Sequence, residues 1–546
     1  MGDKNSAKQI FVYLGYFFGV ALLLLAIGTG FLYISPGTSI FGVSSVNVRQ
    51  VYTTYMAEGE NAIPGVSAVL ESRNIIIESK YIPVEVRIRN PGQQDVGSIQ
   101  VLEDSSGLTV NNVQRTYLEF SQVLVEQQDG DAEIFYKIKV IEPQGTVSRS
   151  ANNYVFINMY PTDSGGNNSP FNFILNTGGS NVKFAADDAS TLNENPLFVN
   201  KLEILNASGS IYLPPETGKS FHVEVKDLVV SSRSVKVNCE SPIRGDVSID
   251  CNNGSFVFKS VGGNINVAGG TNSITVNNVG GNVSLVGKNV KFSQRDGAIE
   301  GSIIYEVGSG ALSIVACQDL YMRTADVTAS VSGKIKSLDY EATGSGGVNI
   351  AQVGDVGTSG GFARVVTVKG GVTLNKLWVN TGVQTASGAM RINFDKAAFE
   401  NGLTPTLAVR AYDGAVNVTN ICGEADILVR ANGNANVTAD FLQVVGESKI
   451  FYEGSTNPYR NKGMISVTFV KSIKPCRLFI ERMASAHNKT NPTIVKDGIS
   501  GNQVPVNASL SNGLWYLVNY TTDTDYKETR DLTISTSNGF SLFSRN

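Results

Sequence analysis

Gly245-Asp-Val-Ser-Ile249, Gly263-Asn-Ile-Asn-Val267 and Gly281-Asn-Val-Ser-Leu285 share one pattern: glycine, polar, apolar, polar, apolar. Their first glycines fall 18 residues apart, twice in succession. Midway between them lie Gly254-Ser-Phe-Val-Phe258 and Asn272-Ser-Ile-Thr-Val276, so the underlying step is nine. Alternation of apolar and polar residues is the mark of a half-buried strand, and the glycines supply tight turns. Two nine-residue units then make one coil. Coils stacked at about 4.8 Å bury their aligned Val, Ile and Leu in a shared interior, while backbone groups pair with the coils above and below. The expected fold class is all-β, a β-solenoid (β-helix) with coils of about 18 residues. The number of faces per coil stays open.

Working outward, Gly209-Ser-Ile-Tyr-Leu213 stands two periods before Gly245 and is expected in phase with it. The signature returns less regularly at Gly310, Gly346, Gly370, Gly388 and Gly414, which assigns 171–445 to the solenoid. A solenoid has two open ends that need covering. Residues 446–546, with Trp515 and the paired Ser511-Asn-Gly-Leu514 and Ser537-Asn-Gly-Phe540, are read as final coils or a capping β-domain. Upstream, Val84-Glu-Val-Arg-Ile-Arg89 alternates as a strand and ends at Asn90-Pro-Gly92, so 45–160 is read as a separate membrane-proximal β-domain. The Gly-, Asn- and Ser-rich stretch 161–170 is read as a linker.

Residues 10–34 contain no charge and include Phe17-Phe18 and Leu22 to Leu25. At about 1.5 Å rise per residue, a helix of this length crosses a hydrocarbon core of about 30 Å. This predicts a transmembrane signal-anchor helix after a cytosolic tail, 1–9. Lys4 and Lys8 precede the span, and the next basic residue is Arg49, so the positive-inside rule puts the N-terminus in the cytosol. Asn-x-Ser/Thr triplets at Asn206, Asn253, Asn282, Asn417, Asn436, Asn488, Asn507 and Asn519 are the expected glycosylation sites of an exported body.

Composition narrows the chemistry. Charged residues are 17% of the chain, the formal charge is −4, and no stripe of Lys and Arg suits a phosphate backbone, so nucleic acid is not expected as a partner. Only His222 and His487 occur, and no Cys-x-x-Cys exists, which leaves no metal or cofactor called for. Of the five cysteines, Cys239 and Cys251 lie closest and are the expected disulfide if the compartment oxidises; buried free thiols are the alternative. Arg244-Gly245-Asp246 spells an integrin-type tripeptide, but its glycine sits at the repeat's own turn. Asp129-Gly-Asp-Ala-Glu133 reads as a polar hairpin tip rather than a calcium loop.

The glycine-led strands of residues 205–440 resemble the adhesin β-solenoid family, a domain of largely unknown function. The resemblance covers under half the chain, implies a surface or adhesive role, and brings no catalytic residues. The expectation is therefore a non-enzymatic, membrane-anchored structural or adhesive glycoprotein at the cell surface or in an endomembrane lumen, with a glycan or protein surface as partner. Two alternatives stand. One is a carbohydrate-active β-helix enzyme, which needs paired carboxylates on one face, whereas Asp296, Glu300, Glu306 and Asp319 are scattered. The other is a scaffold subunit of a larger membrane complex.

Overall fold

The computed structural model describes residues 50–57, 63–88, 97–104, 116–126, 132–142, 153–160, 169–186, 197–214, 223–358, 360–431, 435–454, 463–470, 477–483, 493–496, 508–511, 514–518, 530–536 and 539–545. The expected span 10–34, the tail 1–9 and most of the linker 161–170 lie outside the described residues. No helix among those described is long and apolar enough to cross a membrane.

The fold is all-β and parallel-rich, and its strands stack as coils. On one long side, face A, Leu228, Val247, Ile265, Val283, Ile303, Leu320 and Leu338 stand opposite one another in turn, and the ladder continues to Ala363, Thr381, Leu407 and Ala425. On the other, face B, Val237, Phe256, Ile274, Phe292 and Leu312 form the equivalent series, which runs on through Ala329, Val348, Val372, Met390 and Val416 to Val437. A short third side is joined by isolated parallel bridges together with the Val261–Val279 pairing, linking Val225, Ile243, Val261, Val279 and Ile299 in one run. The side chains that face inward from both ladders form one continuous core extending from Ala57 to Ile534.

The repeat segments behave as read. Val247, Ile265 and Val283 keep the 18-residue step on face A, and the midway segments supply face B. The phase of the other copies differs. Ile211 pairs with Val237, which puts Gly209–Leu213 on face B, half a coil from Gly245. Gly310, Gly346, Gly370, Gly388 and Gly414 likewise lead face B strands. Insertions at corners shift the count. One of them is the short helix Lys396–Glu400, whose preceding Asp395 caps Ala397 N–H.

Residues 45–160 do not form a domain apart. Asn74–Glu78 lies in face A between Ala132–Ile141 and Phe171–Asn176, with parallel pairing on both sides. Val84–Ile88 lies in face B between Tyr154–Met159 and Val182–Ala186. A strand's alternation does not reveal its neighbours, which here come from distant parts of the chain. The other end repeats the device. Arg530–Thr536 is interposed between Gly446–Gly454 and Arg477–Met483, and Gly539–Arg545 between Met464–Val470 and Thr493–Lys496. At each end, a coil from one edge of the sequence sits inside a coil nearer the middle.

Antiparallel strands cover three of the four ladder ends. Tyr117–Glu126 covers face A and Ser98–Asp104 covers face B at one end, and Leu514–Val518 covers face A at the other. The helix Pro64–Glu71 begins with proline, which lacks the N–H that a first turn leaves unpaired. It plugs the first end with Val66, Val69 and Leu70, all buried.

Candidate functional site

The glycine-polar pair of the repeat has a specific task. Asp246 Oδ1 accepts Asn264 N–H at 2.7 Å, Asn264 Oδ1 accepts Asn282 N–H at 2.8 Å, and Asn282 Oδ1 accepts Ser302 N–H at 2.9 Å. Asp227 Oδ1 begins the ladder by accepting Asp246 N–H at 3.0 Å. Each side chain tucks beneath the next coil's glycine: a Cβ on Gly263 would stand 2.2 Å from Asp246 Oδ1, and one on Gly281 2.6 Å from Asn264 Oδ1. Glycine is required there because its neighbour's carboxamide or carboxylate occupies the space. Further along, the close-packed glycines move to the corner leading into face B, where a Cβ on Gly388 would meet Gly370 O at 2.4 Å.

This ladder also absorbs the integrin-like tripeptide. Asp246 is committed to Asn264, and Arg244 pairs with Glu224. The Asp129–Glu133 tip lies mostly outside the described residues.

The two long faces differ in chemistry. Face A is laced with ion pairs. Arg323 and Arg364 both grip Asp339, at 2.6 and 2.8 Å, with Glu341 beside them; Arg410 pairs with Asp426 and Arg430 with Glu453. Burial alone would raise the Asp339 carboxyl, but the two guanidiniums outweigh it and hold the group below its ordinary range. The hydrogen bond to Asp339 in turn raises Arg323.

Face B presents hydroxyls and amides. Thr275, Ser293, Ser313 and Ser330 stack in one outward row. The row runs back through Val257 to Asn238, and on through Asn349, Thr373, Arg391, Asn417 and Thr438 to Ser466. A parallel row holds Lys236, Ser255, Ser273, Lys291, Ala311 and Thr328. Neither row contains a carboxylate. Beside them, Asn393 Nδ2 donates to Asn375 Oδ1 at 2.6 Å, and Thr419 Oγ1 donates to Asn393 Oδ1 at 2.7 Å. At about 4.8 Å per coil, the row from Asn238 to Ser466 is roughly 50 Å long.

The sequons map mainly to corners. Asn206, Asn253 and Asn436 are exposed between face A and face B, and Asn282 is exposed at the corner leading back to face A. Asn206 adopts φ +51, a turn conformation that asparagine tolerates. The ladder engages Oδ1 of Asn282 as acceptor, a role that a glycan on the nitrogen leaves intact. Asn417 differs: it sits half-buried within face B, and its Oδ1 is buried without a hydrogen-bond partner. Asn488, Asn507 and Asn519 lie outside the described residues.

The expected Cys239–Cys251 disulfide is not formed. Cys251 stands opposite Ser232 at the corner of the coil, whereas Cys239 stands opposite Phe258 at the far end of face B. Proximity in sequence placed them on opposite ends of one side, so the thiols never meet. Cys239, Cys251, Cys317 and Cys422 are all free and buried. Burial pushes Cys239 and Cys317 up to about 12 and Cys422 to about 11. Alkylation requires the thiolate, so the folded protein should leave these four unlabelled by iodoacetamide at pH 8, and denaturant should expose them all. Peptide mapping of the labelled cysteines checks this, and rapid labelling of Cys317 in the native protein would contradict its placement.

Two shallow grooves accompany the faces. One, of about 520 Å³, follows the short third side over Ile243, Val261, Gly262, Val279 and Gly280. The other, of about 430 Å³, lies on face A over Ile76, Val123, Val125, Ile174 and Leu205. Among the described residues, no three His, Cys, Asp or Glu side chains are grouped to hold a metal ion. No protein-family model, curated protein or solved structure matches this chain.

Proposed function

We propose that this chain is a membrane-anchored structural or adhesive glycoprotein whose solenoid body projects outside the cytosol. The supporting observation is the pair of long, uninterrupted faces with different outward chemistry, bordered by sequons that fall at corners. A glycan at a corner leaves both faces open to a partner. The uncharged run 10–34 supplies the anchor in this reading. Face A offers little to a polysaccharide-cleaving alternative, since Asp339 and Asp426 are held by arginines rather than converging on a cleft.

The test is glycosidase treatment of the native protein combined with protease protection of intact cells or vesicles. The proposal expects a gel shift and a protease-accessible body. Site mapping should find glycans at Asn206, Asn253, Asn282 and Asn436, with Asn417 unoccupied or nearly so. A body protected from protease and showing no shift would overturn the proposal.

A further inference from the structure

We propose that face B is a docking surface for an acidic polysaccharide with widely spaced charges. The inference deepens the adhesive reading and rests on it. Its basis is charge segregation: between Asn238 and Ser466 a chain of net charge −4 keeps carboxylates out of the two outward rows named above, with Glu240 at their edge, where it accepts from Asn238 Nδ2 at 2.9 Å. The charges that remain there are positive. Lys236, Lys291 and Arg391 are exposed, and among the described residues no ion pair engages them. On face A the arginines are instead neutralised by adjacent Asp and Glu.

Spacing selects the ligand. Lys291 lies three coils from Lys236, about 14 Å, and the Arg391 row position lies five further coils on, about 24 Å. Both intervals exceed a Debye length of about 8–10 Å, so each cation acts as a separate contact. A nucleic acid, with a charge every 1.7 Å or so, would demand a far denser array. A polysaccharide carrying a carboxylate on every second sugar fits sparse cations, and its hydroxyls fit the Ser, Thr and Asn between them. The lack of acidic side chains within these two rows reduces repulsion along the track.

The experiment uses the full chain in nanodiscs, with a hyaluronan oligosaccharide as probe and a dextran oligosaccharide of equal length as neutral control. Binding is read by biolayer interferometry at two ionic strengths. The expected result is salt-sensitive binding of hyaluronan and much weaker binding of dextran. The triple variant K236Q/K291Q/R391Q should weaken hyaluronan binding about tenfold or more, with the reversal K236E/K291E/R391E weakening it further. A matched face A triple, R410Q/R430Q/K449Q, should bind as the parent does. Three results would overturn the inference: no hyaluronan binding by the parent, equal binding of dextran, or equal losses in the two neutral triples. Failure here, with the glycosidase and protease tests met, sinks the polysaccharide inference alone; a cytosolic body sinks the reading beneath it.

Discussion

Deleting residues 530–545 should unravel the end of the solenoid to which they belong, well before the centre of the stack is affected. This segment is an interior coil, parallel-paired on both faces to coils on either side. Leu532 and Ile534 are fully buried and stand opposite Ser448 and Ile450 of the preceding coil. Burying such a side chain contributes about 1.5–3 kcal/mol, and the lost coil also abandons the ladder hydrogen bonds on both of its edges. Two parallel edges would then face each other across an empty slot, a template for aggregation. Hydrogen exchange should show residues 446–470 losing protection in the deletion variant while 247–285 retain it. Unchanged protection at 446–470 would mean that the interposed coil is not part of the stack.

The second large effect is expected at a single glycine. Gly263→Val places a branched side chain where Asp246 Oδ1 would stand 2.2 Å from its Cβ and the Gly245 carbonyl carbon 2.8 Å away. Neither neighbour can yield cheaply, because one is hydrogen-bonded to Asn264 N–H and the other is backbone. Overpacking costs about 1–3 kcal/mol, and loss of the exposed Asn264–Asp246 hydrogen bond about 0.5–1.5 more. A loss of about 2–4 kcal/mol in urea denaturation follows. Asp246→Asn, which retains the accepting oxygen, should change stability by less than about 1 kcal/mol. If the valine variant proved as stable as the parent, the glycine would be a composition habit and not a packing requirement.

Legibility in the sequence followed the regularity of the corners. Between Val247 and Leu285 no residue is inserted, so the 18-residue step and both faces could be read directly. Beyond Leu285 the corners take up extra residues, the step from Val283 to Ile303 already being 20, and from Gly310 on the glycines lead the other face. A pattern search cannot separate those two cases, because each presents the same glycine and alternating strand. Gly209 was misassigned for that reason. Val84–Ile88 was correctly read as a strand, yet its stacking between Val155 and Val182 depends on distant residues.

The faces carried a signal that alternation alone did not expose. Thr275, Ser293, Ser313 and Ser330 are ordinary polar positions until the register lines them up. The cysteine pairing failed for the converse reason. Twelve residues of chain carry Cys251 around most of a coil from Cys239, so nearness in sequence meant separation across the stack.

Distances between paired spin labels, measured by double electron–electron resonance, address the stacking itself. Labels at Thr275 and Arg391 on face B are six coil steps apart, and labels at Ser248 and Asp426 on face A are nine. Parallel coils at about 4.8 Å predict separations near 29 Å and 43 Å, in the ratio of two to three. Separations that do not grow with the number of intervening coils would mean that these strands belong to unrelated cores.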